Sequence, residues 1–196
     1  MKKSWIIIIV VVVVGFLIYG WFKGTYNEMI TLGESVDKQW ADVENVYQRR
    51  ADLIPNLVST VKGYASHEKE TLEGVINARA KATSTTINAG NLTPDKIAAF
   101  QQAQDGLSSA LSKLMVVVER YPELKANQNF LELQAQLEGT ENRISVERRK
   151  FNESARAYNT YIKLFPKNML ANMFGFEKKP YFEAQKGAET APKVEF

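Results

Sequence analysis

Hydrophobic positions follow two regimes along this chain. From Trp5 to Phe22 they are continuous: WIIIIVVVVVGFLIYGWF runs eighteen residues without a charge. As a helix that run reaches about 27 Å, close to one bilayer core. So many β-branched residues would suit a buried strand in water. The length argues against that, and in lipid the backbone must satisfy its own hydrogen bonds, which selects a helix. Trp5 at one end and Tyr19, Trp21 and Phe22 at the other match an interfacial aromatic belt, with Lys3 and Lys23 as brackets. The competing reading is a cleaved signal peptide, which needs small residues one and three positions before the cut. Only Phe22-Lys23-Gly24 follows the run, and there is no cysteine to take a lipid. The run is therefore read as an uncleaved single-pass anchor, residues 1–23. Two lysines on the short stub, Lys2 and Lys3, face Lys23 and Lys38 beyond the span. By the positive-inside rule this slightly favours a domain outside the cytoplasm.

From Tyr26 to about Phe165 the pattern becomes helical, and no stretch alternates with period two long enough for a strand. Large residues recur at steps of three and four: Val36, Trp40, Val43, Tyr47, Arg50, Ile54, Leu57, Val61, Tyr64. A second seam runs Phe130, Gln134, Leu137, Glu141, Ile144, Arg148, Phe151, Ala155, Tyr158, Ile162, Phe165. Both are heptad seams. The predicted fold is all-α: the transmembrane helix, then an antiparallel bundle of three to four long helices over residues 24–183. Residues 184–196, AQKGAETAPKVEF, read as a flexible tail.

Four polar residues fall on these seams: Arg50, Gln134, Glu141 and Arg148. An unpaired buried charge is expensive, so Glu141 or Gln134 is expected to face Arg50 or a basic neighbour. The alternative is a seam edge where they snorkel to water. A buried network of this kind would fix helix register.

Helix ends follow from local signals. Asn91-Leu92-Thr93-Pro94-Asp95 starts a helix, with Thr93 as cap and Pro94 at its first position. Residues 83–90 are small and polar and read as a loop. Tyr121-Pro122 ends the next helix. Lys125 to Phe165 then reads as one helix, stopped by Phe165-Pro166. Around Asp52 and Pro55 the chain either kinks or turns into a new helix; the seam passes through without slipping, which favours the kink. Past Pro166, Phe174, Phe176, Tyr181 and Phe182 either pack back onto the bundle or form an aromatic docking patch.

Composition narrows the chemistry. The 196 residues include no cysteine and one histidine, His67, on an expected helix. Thiolate metal sites, disulfides and cysteine nucleophiles are thereby excluded. No G-x-S-x-G, phosphate-binding glycine loop or paired Glu-x-x-His occurs. No cofactor is expected. Of 25 basic residues two are Lys2 and Lys3, so from Lys23 onward 23 basic residues meet 22 acidic ones. That near-neutral balance argues against a nucleic-acid partner. Arg148-Arg149-Lys150 shares its helix with Glu141 and Glu147 and reads as a mixed-charge face.

Arg49 to Val58 (RRADLIPNLV), Val61 to Tyr64 (VKGY) and His67-Glu68 resemble the signature of the bacterial LemA family. The likeness continues through Glu119 to Asn127 (ERYPELKAN), Phe130, Leu133-Gln134, Leu137 and Thr140 to Ile144 (TENRI). It extends over Arg148-Arg149, Asn152, Tyr158-Asn159, Phe165-Pro166, Gly175-Phe176 and Tyr181-Phe182, about residues 23–183. The resemblance implies one N-terminal membrane helix, an antiparallel helical bundle and no established catalytic activity. It also implies a short N-terminus outside and a domain in the cytoplasm, opposite to the charge rule. Its matched residues Arg50, Asp52, Pro55, Asn56, Glu141, Asn142 and Arg148 coincide with the hinge and polar seam.

The expected function is a scaffold or adaptor at the bacterial inner membrane, binding other membrane or envelope proteins of unknown identity. Three rivals remain: a homo-oligomer built through the seams, an enzyme with a carboxylate site around Glu68, Glu119 and Glu141, and lipid or nucleic-acid binding by Arg148 to Lys150.

Overall fold

A computed structural model describes residues 3–183; the expected tail, residues 184–196, lies outside the described residues. Among them there is no strand, and the fold is all-α. Helix α1 (Lys3–Tyr64) is a single helix of 62 residues. Every side chain from residue 4 to 21 is exposed. Thr25 is the first buried one, followed by Met29, Val36, Trp40, Val43, Tyr47, Arg50, Ile54, Leu57 and Val61. One helix therefore carries both regimes of the sequence: an apolar run that stays uncovered up to its last residue, Phe22, then a one-sided stripe at helical spacing.

Helix α2 (Lys69–Ser84) doubles back along α1, and α3 (Pro94–Val118) returns beside α2. Thr93 caps α3 as its composition predicts, its hydroxyl accepting from the Lys96 amide at 3.4 Å. A single turn, α4 (Pro122–Lys125), leads into α5 (Gln128–Lys163). The expected helix Lys125 to Phe165 is shorter at both ends. Asn127 interrupts it, because its side chain accepts from the Phe130 amide at 3.0 Å and starts a fresh helix. At the other end α5 stops at Lys163, so Phe165 leaves the seam and stands 80% exposed. His67 sits in the exposed turn between α1 and α2 and not on a helix. The chain closes with α6 (Lys167–Phe174), ended by Gly175 in the left-handed region at φ 71°.

Helix α5 runs antiparallel to α1 in a fixed register. Tyr158 lies against Gly33, Phe151 against Trp40 with ring centroids 5.7 Å apart, and Glu141 against Arg50. Each step along one helix matches a step back along the other. The core divides in two along this pair. The near half, next to the apolar run, gathers Met29, Trp40, Tyr47, Phe100, Phe151, Tyr158 and Phe182. The far half is built from Ile54, Leu57, Val61, Val75, Leu107, Leu114, Leu124 and Phe130.

Pro55 lies inside α1, which passes through it unbroken. Proline has no N–H, so the carbonyl of Ala51 loses its helical donor. Arg79 of α2 supplies the replacement: its Nε donates to the Ala51 carbonyl at 2.7 Å. Asp52 stays on the exposed face and accepts from Gln48 at 2.7 Å. The expected hinge is thus a continuous helix whose one missing hydrogen bond is made by the neighbouring helix.

Candidate functional site: the Arg50 layer

Between the two core halves lies a polar layer. Heptad spacing turns Arg50 of α1 inward, and its side chain is only 3% exposed. Nη1 donates to Glu141 of α5 at 2.8 Å and to the Ser108 hydroxyl of α3 at 3.0 Å. Nη2 donates to the Gln104 side-chain oxygen at 2.7 Å and to its carbonyl at 3.3 Å. The guanidinium carbon lies 5.1 Å from the Tyr47 ring centroid. Gln104, itself buried, donates onward to the Ala82 carbonyl of α2 at 3.3 Å. One guanidinium therefore joins all four long helices at one level. Its Nε is buried without a partner.

The layer floors a cleft of about 380 Å³ between α3 and α5, with Leu111, Met115 and Leu137 on its apolar side. Glu141 is 56% exposed at this cleft, so the pair is a buried cation met by a carboxylate that keeps part of its hydration. That geometry relieves the desolvation that a fully buried pair would suffer. Burial raises the Tyr47 phenol above its ordinary value, with Arg148 and Arg50 opposing and Glu141 adding to the rise. The layer offers a guanidinium's positive charge and directed donors.

The four seam residues separate. Arg50 and Glu141 meet directly. Gln134 does not join them, because it donates to Glu138 one turn along its own helix at 3.0 Å. Arg148 borders the same cleft but turns to the returning C-terminal segment. It lies 4.8 Å over the Phe182 ring and donates to the Glu183 carbonyl at 3.0 Å. Gln104 and Ser108 were missed by the sequence reading. Gln104 carries a readable signal: it is the polar member of a third seam, Ile97, Phe100, Gln104, Leu107, Leu111, Leu114, Val118.

The other expected site residues have partners of their own. Glu68 pairs with Arg120 at 3.1 Å and accepts from the Tyr121 hydroxyl at 2.9 Å; Glu119 pairs with Lys125. Glu141 is engaged by Arg50, so each of the three carboxylates has its own cationic partner. Among the described residues no group of His, Asp or Glu could hold a metal ion. The aromatic patch divides: Phe182 is buried and Phe176 half-buried, while Phe174 and Tyr181 stay exposed. Phe182 is buried and stacked on Trp40 at 5.9 Å. Phe176 packs on Tyr26, and Phe174 on Phe22 and Tyr26. The Tyr181 hydroxyl accepts from Asn159 at 2.9 Å. Apolar burial places Phe182 in the near core.

Comparison with known proteins agrees with this architecture. The family model described as LemA family matches residues 39–196. The chain is 30% identical over 182 residues to "Magnetosome protein MamQ" of Magnetospirillum gryphiswaldense, covering 84% of this chain and 67% of that protein. It is 28% identical over 184 residues to "Magnetosome protein MamQ 2" of Paramagnetospirillum magneticum, with 84% and 67% covered. It is 22% identical over 183 residues to "Protein LemA" of Metamycoplasma hominis, covering 93% of this chain and 80% of that protein. With a family match from the middle of α1 onward, the chain belongs to the LemA family.

Proposed function

We propose that this protein is a single-pass, membrane-tethered scaffold that acts by binding other membrane proteins through its helical bundle. The observation that carries the reading is the continuity of α1. The same helix holds an eighteen-residue apolar window that nothing in the fold covers, then the central stripe of the core. No flexible linker separates anchor from bundle. From Thr25 to Tyr64 the helix extends roughly 60 Å, so the bundle projects from the membrane as a rod of fixed direction. Tethering raises the effective concentration of such a rod for neighbours in the same membrane.

The test is in-cell photo-crosslinking of the full chain, with the photoreactive residue placed in turn on exposed faces of α2, α3 and α5. The expected result is a small set of membrane proteins captured from one face. Capture of generic abundant proteins from all faces overturns the scaffold reading, and capture of the chain alone replaces it with a homo-oligomer. Alkaline extraction of membranes tests the anchor separately, the expected result being retention in the pellet.

A further inference from the structure

The register of α1 against α5 decides which end of the bundle faces the membrane and what lies there. Tyr158 is level with Gly33 and the two helices run in opposite directions, so Ile162 falls near Met29 and the turn after Lys163 falls near Tyr26. Ring contacts agree: Phe174 lies 4.9 Å from Tyr26 and 5.7 Å from Phe22, the last residue of the apolar run. The corner from Lys163 to Phe174 thus sits beside the end of the apolar run.

This corner has an uncovered apolar surface. Leu164 is 49% exposed, Phe165 80%, Met169 63% and Met173 61%. Phe165, Met169 and Met173 follow at four-residue steps, while Leu170 and Ala171 on the opposite side of α6 are buried. Helix α6 thus carries apolar residues on both its packed and its exposed face, where a surface helix of a soluble protein would keep the exposed face polar. Elsewhere on the bundle Ile76, Val116 and Leu131 are exposed on different helices. Exposed Lys163 flanks the corner, and Lys167 sits with its Nζ 3.6 Å from the Tyr161 ring centroid. Lys23 borders the same level on α1; Glu28 and Glu177 supply the acidic residues nearby. Apolar side chains rimmed by lysine at the depth of the headgroups are the chemistry of an interfacial helix.

We infer that the corner comprising Leu164, Phe165, Met169 and Met173 is a second membrane contact, resting in the headgroup–acyl boundary of the leaflet next to the bundle. This rests on the anchor reading and adds to it. A lone helix crossing the bilayer lets the rod tilt and swivel about its exit point; a second contact beside that point fixes both. Continuity with the apolar run selects lipid as the occupant, because a protein bound at this corner would have to enter between bundle and bilayer.

The chain has no cysteine, so single substitutions can be labelled without background. The full protein is reconstituted in nanodiscs of mixed neutral and anionic phospholipid. Nitroxides are placed at Met169→Cys, Met173→Cys, Val13→Cys in the apolar run and Val116→Cys at the far end. Collision with oxygen and with a water-soluble nickel chelate gives depth. The expected result is nickel access at positions 169 and 173 several-fold below that at 116, corresponding to about 5–10 Å of immersion. Labels at 169 and 173 that match 116, while 13 reports bilayer, overturn the contact and leave the anchor intact. An aqueous label at 13 overturns both. Shielding of 169 and 173 from both reagents overturns the lipid assignment in favour of a protein at that corner.

Discussion

Two long helices, α1 and α5, run through the near half of the bundle, which α3 enters only with its first turns, whereas four long helices line the far half. The far half surrounds its aliphatic core with α1, α2, α3 and α5. Only α1 and α5 run the length of the near half; the first turns of α3, with Ile97 and Phe100, and the short α6, with Leu170 and Ala171, cover part of it and leave its core incompletely enclosed. Irregular chain completes it: Ile87 and Leu92 from the α2–α3 connection, and Phe182 from the C-terminal return. Irregular backbone brings unpaired polar groups with it, and those need partners. Asn159 donates to the Lys179 carbonyl at 2.8 Å and accepts from its amide at 2.9 Å. Asn152 does the same for Phe182 at 3.0 and 2.9 Å. Each asparagine side chain thereby substitutes for a neighbouring strand. The Trp40 indole donates to the Ile87 carbonyl at 3.1 Å and fixes the other irregular segment. Where helices surround the core, aliphatic residues suffice; where they do not, aromatic volume and side-chain-to-backbone hydrogen bonds take their place.

The sharpest way to break this contrast is Trp40→Ala. Trp40 is fully buried against Phe100, Phe151 and Phe182. Truncation should cost about 3–5 kcal/mol by denaturant unfolding of the full chain in mild detergent. Hydrogen exchange should show residues 85–92 and 179–183 losing protection first, with the far half still protected. Uniform loss across both halves would show that the chain unfolds as one unit and that the division has no energetic meaning.

Next in size is Glu141→Leu, aimed at the layer that divides the halves. Arg50 would keep Gln104 and Ser108 but lose its only carboxylate among the contacts described. Because the guanidinium is buried, the expected loss is about 1–3 kcal/mol. Unchanged stability together with an unchanged oligomeric state, by denaturation and by sedimentation, would remove the layer's role in fixing helix register.

Asn159→Ala separates the irregular half from the helical one at lower amplitude. It deletes three hydrogen bonds to residues 179 and 181, with an expected loss of about 1–2 kcal/mol. Its signature is local: the Lys179 amide should exchange as if exposed while α2 and α3 amides keep their rates. The matching change in the far half is Arg79→Ala, which orphans the Ala51 carbonyl beside Pro55 and should cost about 1 kcal/mol. Arg79→Lys should recover little of it, since a flexible ammonium does not reproduce the Nε geometry.

The far half was the more legible of the two in the sequence. Heptad spacing placed α1 and α5 on their shared seam, and the polar members of those seams pointed to the level at which Arg50 meets Glu141. Periodicity carries that information because a helical core repeats. It says little about segments that do not repeat, so the near half's enclosure by residues 85–92 was invisible, the return of Phe182 onto the bundle stood only as one of two readings, and Asn152 and Asn159 looked like ordinary helix-surface amides. Gln134 misled for a related reason. Seam position alone does not distinguish a residue that reaches across the bundle from one that bonds along its own helix. Gln104 was readable in principle, on a seam of α3 with the same steps, and the sharp turn at Asn127 needed its capping geometry to be seen.

The smallest predicted effect concerns Glu44, on the near half beside the 85–92 segment. Burial raises its carboxyl above the ordinary 4.5, with hydrogen bonds from Trp40 and the Ile87 backbone opposing the rise. Between the ordinary and the raised value the folded state holds the proton more tightly than the unfolded one. Stability from this group is therefore present at low pH and lost as pH rises through the raised value. At neutral pH the ionised carboxylate is a net burden on the irregular half, whereas Glu44→Gln keeps an acceptor for both donors and removes the charge. The variant should be as stable as the parent near pH 4 and slightly more stable at pH 7, by denaturation of both proteins in the same detergent. A variant that is less stable at pH 7 would mean that the charge-assisted hydrogen bonds outweigh desolvation. The near half would then be held partly by an ionic clasp on its irregular chain, and the contrast with the far half would extend to electrostatics as well as packing.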